Sequence, residues 1–175
     1  MAIITIIAGL ASFSILRMMP RIKIRGDVWN VHQTLLNAKM QAVGENVNMG
    51  VLFIRQGYRN SNICQDSDCY LIFKDVDGNN FYTDTNNNIL DFTNGDDPII
   101  GTVKKLDPAN TFLRVFGINL NSAPNSYVWV IFNPMGNVEW FGSWNNPNVP
   151  MPFNGGSVEL STRNPLKGTS NLYYV

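Results

Sequence analysis

The residues best suited to chemistry lie in one stretch. Asp75, Asp77 and Asn79 alternate through DVDGNN, and Phe81 follows with a backbone carbonyl to offer. Oxygen donors at positions 1, 3, 5 and 7 of a tight loop are how an EF-hand begins to wrap a calcium ion. The second half of such a loop departs from the pattern: the twelfth position is Asn86 rather than a bidentate glutamate, and Gly78 stands fourth instead of sixth. Asp84, Asp91, Asp96 and Asp97, in or beside the segment TDTNNNILDFTNGDD, could supply a further carboxylate. A turn rich in Asp, Asn and Gly that needs no metal is the leading reading. Calcium is the one cofactor the pattern suggests.

Cys64 and Cys69, in ICQDSDCY, are the only two cysteines. A disulfide is the first reading and a pair of reduced structural thiols the second. Zinc needs about four ligands, and the chain has one histidine. The spacing is not the Cys-x-x-Cys of redox catalysts. A bridge would place this part of the chain in an oxidising compartment, the periplasm or cell exterior. For catalysis the chain offers no G-x-S-x-G, no H-E-x-x-H and no phosphate-binding glycine loop, and His32 stands apart from any nucleophile. No enzyme activity is expected. Trp140, Trp144 and Phe153 border the proline-rich segment SWNNPNVPMPFNG, a surface loop and the first place to look for a ligand or partner.

The elements that must position these residues change character along the chain. The first sixteen residues, MAIITIIAGLASFSIL, carry no charge, and Arg17, Arg21, Lys23 and Arg25 follow them. A cleaved signal peptide has its positive residues before the apolar run, so this segment reads as retained. Ile24, Val28, Val31, Leu35, Ala38 and Ala42 then recur every four or three residues, the stripe of a helix. One long helix is expected, apolar all round in its first half and one-sided in its second, ending at a Gly44 cap. Trp29 is expected to staple that helix to a sheet. The uncharged part spans about 24 Å, short of the roughly 30 Å of a bilayer core. Either it lies in the interface or apolar residues precede Met1.

Beyond residue 44 the period changes to that of strands. The candidates are 47–54, 70–74, 99–106, 111–117, 127–133, 138–141, 157–161 and 172–175, with a hairpin turn at NPMGN. No helical pattern separates most of them, so antiparallel sheets follow. Thirteen basic and thirteen acidic residues leave the chain formally neutral, and nothing in that balance recruits nucleic acid.

The order of these parts resembles the type IV pilin superfamily, most closely minor pseudopilins and minor pilins of the GspH/FimT type. AIITIIAGLASFSI is similar to the latter half of the pilin N-terminal segment, and PRIKIRGDVWNVHQTLLNAKMQAV to the amphipathic helix that continues it. Leu35, Ala38, Met40 and Ala42 stand in the family's helix pattern, with Lys39 in place of an arginine. VLFIR, KDVDGNN, VIFNPMGNV and GGSVELS follow in the family's order. The family's processing site and early glutamate have no counterpart, which places Met1 inside the mature family helix. An arginine-containing C-terminal motif of DNA-uptake members has no match either; Arg163 and Lys167 are the only nearby bases.

The resemblance implies an α+β, pilin-like fold, with a long N-terminal helix packed on a mostly antiparallel β-sheet head. Residues 1–23 would be the protruding half that enters membrane or filament core, and 24–175 the head, including helix residues 24–43. Ile3, Ile4, Ile6, Ile7, Leu10, Phe13, Ile15 and Leu16 would make the packing surface. It further implies a subunit of a type IV pilus or type II secretion pseudopilus, held in the inner membrane with a periplasmic head. Its partners would then be other copies or related pilins. The alternatives are a minor pilin that binds DNA for uptake, or a tip adhesin.

Overall fold

The repeat that begins at Ile24 forms a helix, and the strand-like runs beyond it form two antiparallel sheets. The computed structural model describes residues 2–57, 64–78, 97–116, 118–120, 127–143, 151–152, 156–162 and 173–174, with 2–17, 119, 139–143, 151–152 and 173–174 as backbone only. Helix α1 (Ala2–Glu45) continues through Pro20, which removes one backbone donor without ending it. Ile24, Val31, Ala38 and Ala42 are fully buried, and Val28 and Leu35 pack beside them. These are the positions the three-and-four spacing selects. The helix ends later than expected. Gly44 is still helical, and the left-handed residue is Asn46 at φ 55°, followed by a Val47 N–H to Ala42 carbonyl bond of 3.2 Å. Asparagine tolerates that conformation, so it takes the glycine's place in this cap.

The strands are β1 (Met49–Ile54), β2 (Cys69–Lys74), β3 (Ile99–Lys105), β4 (Asn110–Val115), β5 (Ile118–Asn119), β6 (Tyr127–Phe132), β7 (Val138–Ser143), β8 (Met151–Pro152), β9 (Val158–Thr162) and β10 (Tyr173–Tyr174). One sheet has the order β3-β2-β1-β6-β7-β8 and the other β10-β9-β4-β5. Every pairing is antiparallel. Two short strands fall outside the expected set. β8 arises inside the proline-rich segment read as a loop, where Met151 pairs with Phe141 and Pro152 with Trp140. Proline is tolerated there because β8 is an edge strand.

β1 is central, and all six of its residues are buried. Met49, Val51 and Phe53 face the core shared with α1 and the second sheet; Leu52 and Ile54 join Leu71, Phe73, Trp129 and Ile131 on the opposite face. Phe53 meets Phe112 edge-on at 5.3 Å between ring centroids, tying the two sheets together. Gly50 is required by the opposite face: any β-carbon there would enter the buried ring of Phe73, its cross-strand partner.

Candidate functional site

The acidic turn forms where β2 ends. Asp75 and Asp77 leave the strand, and Asp97 returns on the far side of the long connection. Their carboxylate oxygens lie within 4.8 Å of one another, with Asp75 and Asp97 buried and Asp77 exposed. Asp97 was one of four carboxylates the sequence offered; the other three, Asp84, Asp91 and Asp96, lie outside the described residues. Asn79 and Phe81 lie outside the described residues. Part of the donor set already serves the turn: Asp75 Oδ2 accepts from Asn48 Nδ2 at 3.2 Å, and Asp97 Oδ1 accepts from the Val76 N–H at 3.0 Å. Hard oxygen donors of this kind suit calcium, which takes six to eight of them. The described part supplies three carboxylates.

Cys64 and Cys69 are bridged, with their Cα atoms 5.7 Å apart. The disulfide closes a small loop beside Asp68, a carboxylate the sequence did not single out. Asp68 is fully buried. Its Oδ1 accepts from the Gln56 N–H at 3.0 Å, and its Oδ2 from Thr111 Oγ1 at 2.7 Å and the Phe112 N–H at 2.8 Å. It therefore joins the end of β1 to the start of β4. The signal was present only as one of two acids, Asp66 and Asp68, inside the Cys64–Cys69 loop.

A second seam of polar groups fastens α1 to the head. Asp27 Oδ2 accepts from Asn110 Nδ2 at 2.7 Å and from the Asp107 N–H at 2.9 Å. One turn earlier, Lys23 Nζ lies 2.9 Å from Asp107 Oδ2. Further along, Thr34 Oγ1 donates to the Asn30 carbonyl and accepts from Lys104 Nζ at 3.0 Å. Burial raises the Asp27 pKa, against the lowering effect of its two hydrogen bonds; the Lys23 ammonium lowers that of Asp107. Tyr70, buried next to this seam, is pushed up to about 12, first by burial and then by the negative charge of Asp27.

Trp29 does not staple the helix to the sheet. It is 63% exposed, and its ring lies 5.9 Å from that of His32, which is itself exposed on the helix. Met18, Ile22, Trp29, Leu36, Met40 and Val43 are all exposed. Their spacings of four, seven, seven, four and three residues place them within an arc of about 60° at roughly 100° per residue. This stripe is roughly opposite the buried one. The turn between β6 and β7 extends it: Gly136 sits against Lys39 and Val43, and neighbouring Met135 is 83% exposed.

Ile3, Ile4, Ile6, Ile7, Leu10, Phe13, Ile15 and Leu16 lie on helical backbone, with side chains outside those described. Trp140 lies in β7, its side chain likewise outside; Trp144 and Phe153 fall outside the described residues altogether. No helix among the described residues is long and apolar enough to cross a membrane. No family model matches the chain, and neither a curated protein nor a solved structure does.

Proposed function

We propose that this chain is a pilin-like structural subunit of a type IV pilus or type II secretion pseudopilus, of the GspH/FimT type. The observation that supports the reading is the unbroken course of α1. The head buries one face of it from Ile24 onward, residues 18–23 are exposed, and beyond Arg17 the helix continues back to Ala2 through a stretch, 2–16, without a charge. An uncharged helical segment needs lipid or other helices around it, and one segment can meet both needs in turn. Residues 1–23 serve as the apolar half that enters membrane and then filament core. Residues 24–175 form the head, with the amphipathic half at 24–43. The Cys64–Cys69 bridge fits a periplasmic or extracellular head. Other copies or related pilins are the partners, and the inner membrane holds the subunit before assembly.

The test is Ile7→Asp, which puts a charge where neighbouring helices would have to bury it. The variant is expected to accumulate in cells with its disulfide formed yet to be absent from the sheared filament fraction. Incorporation at the unsubstituted level would overturn the reading.

A further inference from the structure

We propose that the outward face of α1 is a lipid-docking face that lies on an anionic bilayer surface. The stripe from Met18 to Val43 runs about 38 Å at 1.5 Å per residue, longer than the scattered single apolar residues normal on a protein surface. Arg21, Arg25 and Lys39 are exposed along one flank of it. Acids on the described part of the helix are placed elsewhere: Asp27 is buried against the head, and Glu45, at the far end, bonds Lys74 Nζ at 2.9 Å. The face is therefore apolar in its centre and positive at its edge. That is the pattern of helices that sink an apolar stripe among acyl chains while Lys and Arg meet anionic headgroups. Trp29, near the middle, has the amphipathic ring favoured at such an interface.

Charge decides between this occupant and a second copy of the same face. A copy brings its own Arg21, Arg25 and Lys39 and no acid to oppose them, whereas an anionic lipid surface complements all three. Docking of this kind lays the whole of α1 in the plane of the membrane interface, its uncharged first part included, with the head alongside the membrane rather than held above it, and α1 leaves that position if the chain enters a filament. The inference stands on the stripe and its charges, and it holds whether or not the chain builds a filament.

The test uses the full chain on vesicles whose acyl chains are brominated, so that an indole among them loses its fluorescence. The emission that disappears in Trp29→Phe isolates the Trp29 signal from those of the other three tryptophans. On phosphatidylglycerol-containing vesicles most of that signal should be quenched. With Arg21→Gln, Arg25→Gln and Lys39→Gln combined, or on phosphatidylcholine alone, the quenching should be lost while the protein still sediments with the vesicles. A polarity-sensitive fluorophore on Met40→Cys gives an independent reading, expected to shift to the blue on anionic vesicles only. Trp29 open to aqueous iodide in the vesicle-bound protein would overturn the proposal. So would shielding from both iodide and bromine, which would mean that protein covers the face.

Discussion

A carboxylate taken out of water needs donors, and the buried aspartates of the head act as clamps between distant segments. Asp27 is the clearest case, because its pKa is raised above the ordinary 3.8 by burial. The folded chain thus keeps the Asp27 proton to higher pH than the unfolded chain does. The stability this contributes is complete below 3.8 and is lost as pH rises through the raised value. Asp107 runs the other way: lowered by Lys23, it contributes above 3.8 and loses that contribution as pH falls through its depressed value. Asp27→Asn retains an oxygen that can accept both bonds but cannot ionise. In urea melts the variant should gain on the unsubstituted protein as pH rises from 3.8 to neutrality. A difference that stays flat over that range would mean Asp27 is not desolvated. At the acidic turn, Asp75 and Asp97 each commit an oxygen to the fold. Melting curves in millimolar calcium and in chelator are therefore expected to coincide, and a rise with calcium would identify the turn as a cation site.

Among the elements, β1 carries the greatest packing demand, since it is covered on both faces and paired on both edges. Gly50 is the point where no side chain fits, because the ring of Phe73 occupies its place. Gly50→Val raises β-propensity yet must displace a fully buried ring. The substitution should lower stability by about 1–3 kcal/mol, the usual cost of overpacking, read from the shift in denaturant midpoint. An unchanged midpoint would show that Phe73 can move aside cheaply. The disulfide constrains far less chain, and a loop this short stabilises by only about 2 kcal/mol in the chain-entropy model. The end of α1 follows the same logic of local geometry, with Asn46 turning the chain so that β1 starts almost at once.

For the whole molecule, the helix belongs to two environments. From Lys23 onward it is bound to the head by the Asp107 ion pair, the Asp27 bonds and the buried apolar stripe. Residues 18–22 are exposed. A chain beginning at Lys23 keeps all of those contacts and should fold, with a melting temperature close to that of the full chain and the disulfide intact. Analytical ultracentrifugation should find it monomeric. Aggregation of the shortened chain, or loss of its cooperative melt, would mean that the first part of α1 also supports the head.

Periodicity along the chain was enough to specify α1 from Ile24 to Ala42 and the register of its buried face, and β-prone runs bounded by turn residues marked most strands to within one or two residues. Those features follow from local geometry: a helix repeats every 3.6 residues and a strand every two, whatever surrounds them. Two cysteines allow only one intramolecular bridge, so its partners were legible too. The outward position of Trp29 was not, because a large apolar residue beside Val28 can serve either face until the sheet chooses an arc. Nor were the clamps at Asp27 and Asp68, or the approach of Asp97 to Asp75 and Asp77. Each joins segments far apart in sequence, and which segments meet is decided by the closing of the two sheets around α1. Local spacing carries no record of that closure, and only the tertiary structure supplies it.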